Sequence, residues 1–226
     1  MADRGLRATA QPAKDRARAR RLYAKLRAAY PDARCDLLHD SPFQLLVATI
    51  LSAQCTDAAV NRATPALFAR FPDPAAMAAA EPTDVEPFVK TCGFFRAKAR
   101  NLVAAARVVE KEFGGRVPET MDGLLRVPGA ARKTANVVLG NAFGKPAGVT
   151  VDTHVGRISV RLGLVEADPK NAIAIERDLA GLLPKKDWTH FSHVLIWHGR
   201  ATCRAQKPRC GDCVVRRSCP RIGLVA

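Results

Sequence analysis

What the chain lacks narrows its class before anything it contains. No stretch approaches the roughly 18 uninterrupted apolar residues of a membrane span, and the N-terminus has no apolar core of a secretory signal. A soluble protein without a membrane partner is expected. Alternating apolar and polar runs, the mark of half-buried strands, are nearly absent. There is no internal repeat and no linker long enough to separate independent domains. Carboxylates are scarce: 21 Asp and Glu stand against 36 Lys and Arg, for a formal charge of +15 at pH 7. So basic a chain is expected to seek a polyanion, with nucleic acid the default; an Ala- and Arg-rich composition set by a GC-rich genome is the bland alternative. Nor do the cysteines suit a disulfide framework. Their number, 7, is odd; Cys35, Cys55 and Cys92 are scattered while four crowd together from Cys203 onward, as in a metal site in a reducing compartment.

What is present reads as helix. Ser41-Pro42-Phe43-Gln44 supplies an N-cap, a proline at the first helical position and a glutamine placed to close a capping box. The run Leu45 to Ala53 has no polar face, so this helix is expected inside the core. A second strong pattern covers 96–113, with Leu102, Ala106, Val109 and Phe113 on one stripe and Gly114-Gly115 to end it. Further helices are expected near 57–70, 73–80, 84–91, 120–126, 132–142, 153–163, 170–182 and 188–198. Short Pro/Gly breaks between them predict antiparallel or steeply crossed neighbours. The fold class is all-α. The first residues, with Arg4, Arg7, Lys14, Arg16, Arg18, Arg20 and Arg21, read as a flexible basic arm over 1–20, although an organellar transit peptide has a similar composition.

Three constellations carry chemistry. Cys203, Cys210, Cys213 and Cys219 are spaced as a metal-binding loop that zinc or a [4Fe–4S] cluster would accept. Only Cys210 and Cys213 form a close pair, and the wider spacing favours the cluster over zinc. Arg200, Arg204, Lys207, Arg209, Arg216, Arg217 and Arg221 are interleaved with them and would partly offset an anionic cluster or meet phosphates. Val127-Pro128-Gly129-Ala130-Ala131-Arg132-Lys133-Thr134-Ala135 places a tight turn before a helix N-terminus, where exposed N–H groups can hold a DNA phosphate without reading sequence. Lys133 falls in the first turn of that helix, against the dipole. A helix N-terminus and a neighbouring arginine would both lower the pKa of a nucleophilic lysine. Asp152, in Val151-Asp152-Thr153-His154, reads first as an N-cap, a position that also holds a carboxylate ionised and oriented.

Taken in order and spacing, Leu51-Ser52-Ala53-Gln54-Cys55-Thr56-Asp57, the hairpin from Val127 to Ala135, Val151 to His154 and the four-cysteine loop resemble the endonuclease III family. The resemblance implies a six-helix barrel with a helix-hairpin-helix motif over 35–145. It also implies a discontinuous helical domain from 21–34 and 146–226 that carries the iron–sulfur cluster, with DNA bound in the cleft between the two. It implies a bifunctional base-excision enzyme, a monomer of the bacterial cytoplasm and nucleoid, which removes oxidised pyrimidines from double-stranded DNA and nicks 3′ to the abasic site. Lys133 would be the nucleophile, Asp152 its assistant, and Cys203, Cys210, Cys213 and Cys219 the ligands of a [4Fe–4S] cluster. DNA contacts would fall to Gln54, Gly129, Ala131, Arg132, Thr134 and His154. Gln54 would enter the gap left by a flipped nucleotide, and Phe94-Phe95 lies where a second wedge is expected, though core packing would also explain the two rings. The alternatives are a monofunctional mismatch glycosylase of the same superfamily, in which a serine or tyrosine replaces the lysine, and a non-catalytic DNA-binding module stapled by metal. Two departures from the family pattern stand out. Ala131 occupies the second hairpin glycine, where a Cβ would oppose a positive φ or a close phosphate, and Cys55 replaces a small alanine.

Overall fold

The computed structural model describes residues 11–224, and among them there are helices, short 3-10 turns and loops but no strand. The described chain divides into two compact units, one over Cys35–Lys145 and one that joins residues 11–34 to the chain from Pro146 onward.

The first unit is organised by an apolar helix, α2 (Pro42–Leu51), in which every residue from Leu45 to Leu51 is buried. Each buried Leu, Ile or Val there contributes about 1.5–3 kcal/mol relative to exposure. Ser41 Oγ caps it by accepting from the Gln44 N–H at 3.2 Å. The Gln44 side chain reaches one residue further back than a standard capping box and accepts from the Asp40 N–H at 2.7 Å. Helix α3 (Asp57–Arg70) begins at Thr56, whose hydroxyl accepts from the Ala59 N–H. Two helices, α4 (Pro74–Ala78) and α5 (Pro82–Val89), pack on the long α6 (Phe95–Phe113), which Gly114 ends at φ 60. Helix α7 (Met121–Leu125) leads into α8 (Arg132–Ala142), which packs on α2. Seven α-helical segments are therefore present among the described residues of this unit, one at each of the seven places where the sequence pattern predicts a helix. Two of them, α4 and α7, are only five residues long.

The second unit packs α1 (Ala13–Ala29) against α10 (Ala172–Leu182) and α11 (Trp188–Ala201), while α9 (Thr153–Arg161) packs on both α11 and α10. Ala19, Leu22, Tyr23 and Leu26 form the buried stripe of α1, at the 3–4 residue spacing of one helix face. They meet Ile158, Leu179, Phe191 and Leu195 in one core. Of the arm expected over 1–20, residues 13–20 are instead the first turns of α1, with Ala19 1% exposed; residues 1–10, with Arg4 and Arg7, lie outside the described residues. Arg18 is an anchor, donating to the carbonyls of Gly163 at 2.9 Å and Ser218 at 3.1 Å.

Candidate functional site

In the first unit the hairpin is a tight turn: Val127 O accepts from the Ala130 N–H at 3.0 Å, with Pro128 and Gly129 at the two central positions. Gly129 has φ +79, as the third residue of a type II turn requires. A Cβ there would also fall 3.2 Å from Ile50 Cγ2 of α2. Ala131 is the N-cap of α8 with φ −80 and ψ 174, ordinary extended backbone, so the positive φ that its Cβ was expected to oppose does not arise. Its methyl cannot cap the helix, and an anion held there would meet the positive end of the helix dipole. Lys133 is exposed at the second helical position, one residue after the half-buried Arg132. Thr134, expected to touch DNA, is 9% exposed, so its side chain belongs to the packing under the turn.

Two further loops of this unit carry non-glycine residues in the left-handed region, Gln54 at φ 53 and Phe94 at φ 46. Such backbone costs on the order of 1–3 kcal/mol and concentrates at functional sites. Gln54 is exposed just past the end of α2. Phe94 is 69% exposed, so core packing does not explain it, whereas Phe95 is half-buried under the Arg96 guanidinium. Behind these loops lies a contact that the scattered cysteines gave no hint of. Cys92 is buried beside the Cys55 thiol, and burial, then that neighbour, push the Cys92 thiol up. Lys98, buried at the start of α6, donates from Nζ to Cys92 O at 2.6 Å and ties down the residue two before Phe94.

In the second unit Asp152 caps α9: its Oδ1 accepts from the backbone N–H groups of His154 at 2.9 Å and Val155 at 2.8 Å. Two N–H donors on one oxygen fix the carboxylate in orientation. His154 is half-buried, its Nδ1 3.2 Å from Arg157 Nη2 and its ring over Gly199 of α11.

The same helix grips the cysteine loop with side chains that the sequence did not single out. Arg157 donates to Cys203 O at 3.0 Å. Arg161, one turn on, donates to the carbonyls of Arg204 at 2.7 Å and Ala205 at 2.9 Å and approaches Cys203 Sγ at 3.6 Å. Burial, and then Arg161, lower the Arg157 guanidinium below its ordinary value. Cys203, Cys210, Cys213 and Cys219 line one small cavity with Arg161 and His198. Burial pushes the Cys213 and Cys219 thiols up, and the neighbouring cysteines add to it, so four thiolates would need a compensating cation. No three His, Cys, Asp or Glu side chains among the described residues close on a single metal ion. Four thiols lining one cavity beside Arg161 form a donor set that either zinc or an iron–sulfur cluster accepts.

The HhH-GPD superfamily of base excision DNA repair proteins matches residues 47–185. The chain is 54% identical to endonuclease III of Synechocystis sp., over 90% of this chain and 92% of that protein. The chain belongs to the endonuclease III family. Endonuclease III of Escherichia coli is 40% identical over 88% of this chain and 92% of its own length. A trapped endonuclease III–DNA covalent intermediate superposes with a TM-score of 0.86 at 38% identity, covering 91% of this chain and 96% of that one. A thermostable thymine-DNA glycosylase, at 22% identity and a TM-score of 0.79, shares the fold. As in the rest of the endonuclease III family, the setting is base excision repair. No helix among the described residues is long and apolar enough to cross a membrane.

Proposed function

We propose that this chain is a monomeric DNA glycosylase with AP lyase activity that acts on damaged or abasic double-stranded DNA of the bacterial nucleoid, with Lys133 as nucleophile. The observation that carries the reading is the place of Lys133, an exposed amine in the first turn of α8 directly behind a hairpin whose N–H groups suit a phosphate. It is supported by the structural likeness to an endonuclease III held covalently on DNA.

In this reading the Lys133 amine attacks C1′ of the damaged nucleotide as the base leaves with the glycosidic electron pair. Opening of the sugar gives a Schiff base. Its electron withdrawal acidifies the C2′ proton, and β-elimination then breaks the bond to the 3′ phosphate oxygen. Asp152, oriented by two backbone donors, stabilises the developing positive charge on the sugar and assists proton transfer. The hairpin N–H groups after Gly129 and Ala131, together with Arg132, hold the backbone; Gln54, with Phe94 on its strained neighbour loop, fills the gap left by the extruded nucleotide. Cys203, Cys210, Cys213 and Cys219 would hold a [4Fe–4S] cluster. Such a centre supplies a covalent staple and a reversible one-electron couple when bound.

Borohydride reduction in the presence of abasic duplex DNA tests the assignment, because only a Schiff base is fixed as a stable adduct. The native chain should be trapped and Lys133→Gln should not, while Lys133→Gln still binds lesion DNA. Trapping of Lys133→Gln at the native rate would place the amine elsewhere.

A further inference from the structure

We propose that His198 is a hydrogen-bond donor to the sulfur of Cys213 and, through it, a determinant of the cluster's reduction potential. The proposal rests on the reading that the four cysteines hold a [4Fe–4S] cluster.

The direction of the contact follows from one boundary condition. His198 is 1% exposed on α11, with Nε2 3.7 Å from Cys213 Sγ and Nδ1 3.0 Å from the Tyr30 hydroxyl. A thiolate bound to iron has no proton to give, so the hydrogen between these groups sits on Nε2. That leaves Nδ1 bare, and it must accept from the Tyr30 O–H. The Tyr30 oxygen lies 2.9 Å from Thr202 Oγ1, whose O–H completes the chain as donor. Three side chains thus point their protons the same way: Thr202 to Tyr30, Tyr30 to His198, His198 to Cys213. Which ring nitrogen carries the proton is set from the far side of the imidazole, the usual means by which a second partner fixes a histidine tautomer.

An N–H directed at a cysteine sulfur withdraws electron density from it. This stabilises the more electron-rich, reduced cluster relative to the oxidised one and raises the potential. Arg161 approaches a different sulfur, that of Cys203, and carries full charge. His198 offers a neutral donor in a dry setting, where a hydrogen bond is stronger than in water. Tyr30 ends α1 and Thr202 follows α11, so the relay spans the two ends of this unit's sequence.

The experiment is voltammetry and resonance Raman spectroscopy of the full, cluster-loaded chain for four proteins: native, His198→Leu, His198→Gln and Tyr30→Phe. His198→Leu should move the midpoint to lower potential and shift the iron–cysteine stretches upward, as the unburdened sulfur binds iron more tightly. His198→Gln, which keeps an amide N–H, should recover part of the shift. Tyr30→Phe, which leaves the imidazole but frees its tautomer, should move both signals in the same direction by less. Unchanged potential and Raman bands in cluster-loaded His198→Leu and Tyr30→Phe would overturn the proposal. Should His198→Leu fail to assemble, Tyr30→Phe decides alone. A native chain without iron and sulfide would overturn the cofactor reading itself, a result visible before any variant is made.

Discussion

Gly199 of α11 lies directly beneath the His154 ring of α9, so close that a Cβ at position 199 would fall 2.6 Å from His154 Nδ1 and 2.9 Å from Ile158 Cδ1. The close approach of these two helices fixes the ring of His154, which lies in the helix turn that Asp152 caps. Gly199→Ala should destabilise by about 1–3 kcal/mol, the usual cost of overpacking. Thermal unfolding should show a loss of several degrees, and an unchanged midpoint would mean the α9–α11 contact is looser than described.

Replacing Asp152 separates capping from chemistry. Asn caps helices about as well as Asp, so Asp152→Asn should unfold near the native temperature. Single-turnover base release should nevertheless fall by a factor of roughly 10² or more, the scale for a positioned acid–base group. Loss of fold and rate together would leave Asp152 only its capping role.

Acid should weaken the second unit through His190. Burial, and then the Arg27 guanidinium, lower its pKa below the ordinary value of 6.5, while Asp187 opposes the shift; its Nδ1 sits 2.7 Å from the Tyr23 hydroxyl. A lowered histidine pKa means that the unfolded chain takes up the proton first. Stability is therefore fully present above about pH 6.5 and is lost as the pH falls below it. Urea unfolding at pH 7 and pH 5 should show a drop that is smaller in His190→Asn, whose side-chain oxygen can still accept from Tyr23. Equal drops in the two proteins would assign the acid sensitivity to other groups.

Removing one cysteine of the loop tests the metal site. The purified chain should be brown, with broad absorption near 400 nm on the order expected of a thiolate-bound cluster. Cys210→Ser should lose iron, whereas Cys35→Ser, Cys55→Ser and Cys92→Ser should keep it. Stoichiometric zinc in a colourless, active protein would falsify the cluster.

Affinity for DNA should fall steeply with salt. Each phosphate neutralised contributes about −0.9 to the slope of log affinity against log salt. Fluorescence anisotropy over a salt series checks this, and a flat profile would count against a backbone-holding hairpin.

Where the sequence was legible, local chemistry and tertiary structure agreed. Ser41 and Pro42 mark the start of α2 because a cap and a preset φ act within one turn. Gly114 ends α6 because its left-handed φ costs a glycine little. The four cysteines could be grouped because ligand spacing is a sequence property. Helix α1 went unread because its surface is nearly all Arg, Lys and Ala, and its stripe of Ala19, Leu22, Tyr23 and Leu26 is short. The roles of Arg157, Arg161 and His198 could not be read, since each acts on a loop dozens of residues away or across a helix interface that only packing creates. Cys55 and Cys92 met for the same reason.

The split of the second unit across the sequence sets an order of events on the ribosome. Helix α1 leaves the exit tunnel before the unit over Cys35–Lys145 but finds its partners, α10 and α11, only after that unit. Meanwhile the unit over Cys35–Lys145 has all its own helices and can fold as a block. The 56 residues from Pro146 to Ala201, the end of α11, take roughly 3–11 s at about 5–20 residues per second. Through that interval the apolar stripe of α1 waits uncovered. Its abundance of arginine and lysine then has a use beyond the finished protein, because like charges keep a nascent helix soluble until α10 and α11 arrive to cover it.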